Sequence, residues 1–346
     1  MNIRLIAYSA RGCATAARLS DALTAKGHVC TRYARTEHIP AGDTQTQYLD
    51  RSAVEWAKAG FETADALIFC CAAGIAVRAI APWVRSKKTD PAVLVVDELG
   101  RWCIPILSGH IGGGNALARE AAEGIGAACV VTTATDLNGL FAVDVFAVKN
   151  HLYIENMLLA KEVSAALLAG KAVGFRSDLP MADPLPPELT AGEAELGICV
   201  SADASKKPFP KTLRLIPQKF AAGLGCRRDK DAESLERFFL DCLAQAGIDR
   251  REVRALASID VKKDEPGLLA LAEKYRLPFL TYAAEELNAL PGEFSRSAFV
   301  RGTVGVDCVC ERAAVKASGG KLVKPKTAAD GMTFALAEYE EEIRFE

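Results

Sequence analysis

Over the first 135 residues short apolar runs alternate with longer segments of helical periodicity. That alternation admits few folds other than a mainly parallel sheet with helices on its faces. IRLIAYS, VCTRYA and ALIFCCA read as strands, separated by the helix-like RGCATAARLSDALTAKG and TQYLDRSAVEWAKAG. GIAVRAIAPWVRS follows as a third helix, and AVLVVDE, WCIPILS and ACVVTTAT as further strands. In such sheets ligands collect where strands end and helices begin. Three strand ends carry polar or glycine-rich turns, at Ala72-Ala73-Gly74, at Ser108 to Asn115 and at Thr132 to Asp136, and they are expected to share one rim, with Gly74 and Thr133 in contact with ligand.

The stretch IPILSGHIGGGNALA (104–118) is the most specific of the three. An apolar strand runs into Ser108, Gly109, His110 and the triple glycine Gly112, Gly113 and Gly114, then straight into a helix beginning near Asn115. Backbone N–H groups at such a helix start can hold an anion or a developing oxyanion. Asn115 and Ala116 stand where a P-loop requires Lys and Ser/Thr, so a nucleoside triphosphate is not the expected ligand. The glycines also miss the G-x-G-x-x-G order of a dinucleotide fold, and Ser108 lacks the flanking glycines of a nucleophile elbow. A tight strand-to-helix turn with no chemistry is the plainer alternative.

With 42 basic and 44 acidic side chains, a net charge of -2 and 7% aromatics, the chain has no global basic field and few stacking platforms for nucleic acid. An anionic ligand must be held locally. The N-terminal apolar run is too short for a signal peptide and no segment has the length of a membrane span, which gives the expectation of a cytoplasmic protein with no membrane partner. Eleven scattered cysteines without a C-x-x-C pair read as free thiols, and no metal site is expected. The sequence leaves room for a homodimer.

Past residue 135 the pattern loosens. GFRSDLPMADPLPPEL carries four prolines and little periodicity, so 136–217 read as a smaller, less regular middle region. A second α/β unit, 218–346, begins with FAAGLGC. Here Gly223 and Gly225 are expected to form a glycine turn at a strand end, followed by Arg227 and Arg228, whose guanidinium groups suit bidentate capture of carboxylates. Ser258, Asp260 and Lys262 mark a second strand end with donors and an acid. The fold expected is α/β, with two units of mainly parallel sheet joined by the middle region.

The runs GIAVRAIAPWVRSKKTDPAVLVVDELGRWCIPILSGHIGGGNALARE, VTTATD, GLGCRR, ASIDVKKDEPGLLALAEKYRLP and SAFV to VCERAA resemble the cobalt-precorrin-5A hydrolases, the CbiG family of anaerobic cobalamin biosynthesis. The match runs in order from about residue 70 to the end. The resemblance implies a hydrolase that opens the ring-A δ-lactone of a ring-contracted tetrapyrrole and releases a two-carbon unit as acetaldehyde. Cobalt would arrive with the substrate, and the protein would need no cofactor of its own. A macrocycle fringed with acetates and propionates calls for several separate carboxylate sites, which fits distributed turns and an Arg pair. Ser108 and Asp229 depart from the family pattern, where glycine is common at both places.

Chemistry then suggests His110 as general base on water, the N–H groups of Gly112 to Asn115 as oxyanion donors, and Asp136 as the group that orients His110 or carries a proton. Ser108 is the remaining candidate nucleophile. The competing reading is a non-catalytic tetrapyrrole or corrinoid carrier, which would use the same carboxylate turns and need no base.

Overall fold

The computed structural model describes the chain except residues 87, 88, 111, 134–136, 138, 297–301, 303, 304 and 346. The fold is α/β with three mixed, mostly parallel sheets, and the chain divides into two compact units, Met1–Val145 and Phe146–Glu346.

The first unit is built on a seven-stranded sheet of order β3-β2-β1-β4-β5-β6-β7. Its elements are β1 (Asn2–Ala7), α1 (Ala10–Ala25), β2 (Val29–Ala34), β3 (Thr46–Tyr48), α2 (Ala53–Thr63), β4 (Ala66–Cys70), α3 (Ala73–Ile80), β5 (Ala92–Val96), β6 (Trp102–Leu107), α4 (Gly114–Ile125) and β7 (Ala128–Cys129). Alternation along β1 explains the layers: Ile3, Leu5 and Ala7 pack with α1 and α4, whereas Ile6 packs on the other face with α2 and α3. β4 and β5, buried at every residue, are the continuous apolar runs expected of central parallel strands. Ser9 starts α1 by accepting from Gly12 N–H at 3.0 Å, and Ser52 with Glu55 closes a capping box on α2.

One strand departs from the expected parallel order. β6 runs antiparallel to β5, with Val93 opposite Leu107 and Val96 opposite Cys103. Only Asp97 to Arg101 join them, far too few residues for a parallel crossover. Asp97 closes that turn by accepting from Arg101 N–H at 2.6 Å and Trp102 N–H at 2.7 Å, with Gly100 at φ +67°. β7 is parallel to β6. The reversal corrects the shared rim: the turns after β6 and β7 leave the sheet at the start of β5, whereas Gly74 follows β4 at the opposite edge.

In the second unit, α5 (Val143–Lys149, which begins in the first) leads to β8 (Leu152–Ile154), α6 (Met157–Leu168), β9 (Val173–Ser177), β10 (Leu189–Thr190), β11 (Leu196–Val200) and β12 (Lys211–Pro217). They form a five-stranded sheet of order β10-β9-β11-β12-β8, parallel except for β8, so the middle of the chain is more regular than its prolines suggest. The last sheet, β15-β14-β13-β17-β16, comes from β13 (Phe220–Cys226), α7 (Ala232–Gln245), β14 (Val253–Ile259), α8 (Pro266–Tyr275), β15 (Phe279–Tyr282), α9 (Ala284–Asn288), α10 (Val309–Ser318), β16 (Lys321–Ala329) and β17 (Met332–Glu338). β13, β14 and β15 are parallel, and the closing hairpin β16–β17 adds antiparallel to β13.

The glycine turn expected at 223–225 is not a turn. Gly223 and Gly225 lie inside β13, because the start of α10 crosses this strand so closely that a Cβ on Gly223 would stand 1.8 Å from the carbonyl oxygen of Cys310. Among the described residues no helix is long and apolar enough to cross a membrane.

Candidate active site

The loop from Ser108 to Asn115 turns the chain from β6 into α4 by folding onto itself. Ser108 adopts a left-handed φ of +54° and its carbonyl accepts from Gly114 N–H at 3.0 Å. Gly113 N–H donates to His110 O at 2.9 Å, and Asn115 N–H to Gly109 O at 2.8 Å. The loop needs its glycines for closeness: a Cβ on Gly109 would meet Asn115 Oδ1 at 2.5 Å, and one on Gly112 would meet Ser108 Cβ at 2.5 Å. The same bonds correct the oxyanion expectation, because the amides of Gly113, Gly114 and Asn115 are spent inside the loop. Gly112 N–H makes no hydrogen bond among the described residues.

Ser108 is buried, and its hydroxyl donates to the carbonyl of Asp90 at 2.9 Å. Asp90 is itself buried, its carboxylate accepting from Arg85 N–H at 2.8 Å and Ser86 N–H at 2.9 Å. The serine's hydroxyl proton is therefore committed to fastening the loop to the start of β5, which speaks against its reading as a nucleophile. Ser108→Ala is expected to keep turnover within about threefold of wild type while lowering stability by ~1 kcal/mol, the worth of one hydrogen bond. A steady-state assay and a thermal melt check both halves.

His110 lies with Nδ1 3.4 Å from Asp144 Oδ2, and both side chains are largely buried, at 18% and 11% exposure. Asp144 is set in the first turn of α5. Asp144 thus stands where a carboxylate can orient His110, the role that chemistry suggests for Asp136, which lies outside the described residues. Asp144 was legible only as an acid in the apolar run FAVDVF, with no spacing to tie it to His110. Asn115 Nδ2 donates to Thr133 Oγ1 at 3.1 Å, which joins the loop to the segment after β7. The geometry thus unites Ser108, Gly109, His110, Gly112, Gly113, Gly114, Asn115 and Thr133, and leaves Gly74 out. Gly74 belongs to the first turn of α3, where its carbonyl accepts from Arg78 Nη1 at 3.1 Å.

In the second unit the carboxyl ends of β13 and β14 are neighbours, which brings Arg227 and Arg228 to the same edge as Asp260 and Lys262. Both arginines and Asp260 are exposed. Lys262 Nζ is tied to the buried Glu265 at 2.7 Å, so it meets a ligand carboxylate only in competition with an internal one. Ser258 is fully buried and donates to Leu224 O at 2.7 Å, a strand-to-strand tie that corrects its expected contact with ligand. Burial pushes the neighbouring Cys226 thiol up to about 11, which keeps it protonated.

The chain, a seven-stranded α/β unit with His110 on a glycine loop and Asp144 beside it, followed by two smaller sheets, matches known proteins along most of its length. The family profiles Cobalamin synthesis G N-terminal, Cobalamin biosynthesis central region and Cobalamin synthesis G C-terminus match residues 55–136, 141–217 and 220–337. The cobalt-precorrin-5A hydrolase of Salmonella typhimurium is 38% identical over 294 residues, covering 81% of this chain and 84% of that protein. That of Priestia megaterium is 34% identical over 302 residues, covering 81% and 80%. A solved cobalamin biosynthesis protein G homolog from Sulfolobus solfataricus is 21% identical, covering 98% of this chain and 97% of its own, with a TM-score of 0.46. The chain belongs to the cobalt-precorrin-5A hydrolase (CbiG) family.

Proposed function

We propose that this protein is a cobalt-precorrin-5A hydrolase, which opens the ring-A δ-lactone of its substrate and releases the two-carbon unit as acetaldehyde. The observation that carries the reading is the similarity to two hydrolases over 81% of the chain, together with the N-terminal family profile over 55–136, which includes the loop bearing His110. In this reading His110 is the base. Asp144 beside Nδ1 favours the proton on that nitrogen, which makes Nε2 the basic one and lets it take a proton from water attacking the lactone carbonyl. Of the amides from Gly112 to Asn115, that of Gly112 is the one left to meet the developing oxyanion. Arg227 and Arg228 hold peripheral carboxylates of the macrocycle.

Purified protein incubated with cobalt-precorrin-5A should release acetaldehyde, trapped as a hydrazone. A carrier that only shields the macrocycle would bind it and release none. The chemistry assigned to His110 asks for no cofactor, and cobalt belongs to the substrate, so activity should survive dialysis against a chelator. Loss on dialysis with recovery on return of a metal would move the nucleophile to metal-bound water.

Arg227→Ala and Arg228→Ala should each raise KM about tenfold with kcat within about twofold, because a peripheral contact is made equally in ground and transition states. A collapse of kcat at constant KM would place the pair in the chemistry.

A further inference from the structure

The first unit has an opposite rim that the His110 loop does not use. β3, β2, β1, β4 and β5 are parallel, so their carboxyl ends share that rim, and the chain's connections diverge between β1 and β4. α1 starts on one face of the sheet and α3 on the other, as their separate cores show. Gly12 lets the first turn of α1 come right down on the gap, since a Cβ there would stand 3.0 Å from Cys70 O.

Tyr8 stands at this gap, directly after β1. Its hydroxyl is buried without a hydrogen-bond partner among the described residues. Burial, and then Cys71, push the phenol well above its ordinary value, so it is a fixed donor. Arg35 follows β2 with its N–H on Ala7 O at 2.8 Å, and its charge acts on Tyr8. Arg11 lies in the first turn of α1. Both guanidinium groups are exposed, and neither has a carboxylate partner among the described residues.

The nearby acids are mostly engaged: Glu98 accepts from Ser9 Oγ at 2.7 Å, Asp97 closes the β5–β6 turn, and Glu55 closes the cap of α2. Glu37 and Asp50 are exposed on the outer connections, beyond β2 and β3. α3 contributes apolar surface, with Ile75 37% and Val77 52% exposed.

From these observations we propose that the β1/β4 gap is a second ligand crevice, one that takes a carboxylate carried on an apolar ring. The carboxylate meets Arg11, Arg35 and the Tyr8 hydroxyl, and the ring lies on Ile75 and Val77. The crevice is separate from the His110 loop: the strands between the rims run five residues, ~16 Å at ~3.3 Å per residue, so one carboxylate cannot serve both. The ring-bearing ligand class rests on the hydrolase reading, whereas the crevice itself does not involve His110.

Uroporphyrin, a metal-free polycarboxylate macrocycle, is the probe, titrated by fluorescence into the full chain carrying Arg227→Ala and Arg228→Ala so that the second unit's proposed carboxylate-binding pair is removed. Adding Arg11→Ala and Arg35→Ala should weaken binding about tenfold or more, since two charge-assisted contacts are lost. Val77→Glu, a change at an exposed position that leaves the core intact, should weaken it several-fold and keeps the test valid if the arginine variant fails to fold. Unchanged affinity in the folded variants overturns the crevice. Acetaldehyde release by wild-type protein is read separately: its absence, with probe binding still dependent on Arg11 and Arg35, overturns the hydrolase reading and leaves the crevice standing.

Discussion

His110→Ala is expected to lower kcat about 100-fold or more while leaving KM within about threefold, the signature of losing a positioned base and little ground-state binding. The His110 carbonyl accepts from Gly113 N–H while its imidazole lies beside Asp144, so the substitution removes the base and leaves the loop bond in place. Asp144→Asn tests the orientation separately. It keeps the shape of the side chain and removes the carboxylate charge 3.4 Å from Nδ1, and should cost about tenfold or more in kcat. Single-turnover rates of acetaldehyde release for the two variants measure this. Wild-type rates in His110→Ala would end the assignment and leave the glycine loop a purely structural turn.

The parts of this site legible in the sequence are those dictated by local chain geometry. Ser108 to Asn115 announces a strand-to-helix turn through its glycines, and the structure needs them for the loop's close approach to itself. What the loop does with its amides was not legible, because three of them return to carbonyls of the same loop, a matter of tertiary path and not of composition. The direction of β6 was legible and easily overlooked: five residues between Val96 and Trp102 permit only an antiparallel return. That single reversal decides which turns can cooperate, placing Thr133 with His110 and Gly74 on the far edge. Asp144 could not be found by pattern, since it reaches His110 across 34 residues of chain with no motif between them.

The second-unit glycines misled for a related reason. Glycine before a pair of arginines suggests a turn as readily as a strand, and only the packing partner distinguishes them. At Gly223 that partner is backbone: a Cβ would stand 1.8 Å from Cys310 O and 3.0 Å from Ala314 N, both on α10, so the helix must lift for any side chain to enter. Gly223→Ala should therefore cost ~3 kcal/mol or more, the upper range of overpacking. That corresponds to a fall in Tm of roughly 6 to 12 °C for a unit of this size. Gly225→Ala should be milder, at ~1 kcal/mol, because its obstacle is Thr333 Oγ1 at 2.6 Å, a side-chain atom that can rotate away. Thermal melts of the two variants, with KM measured well below the transition, separate packing from recognition. A lowered Tm at unchanged KM is the expected result for Gly223→Ala, since its backbone is covered by α10. A wild-type Tm with a raised KM would instead mean that α10 leaves this strand and that substrate approaches Gly223 directly.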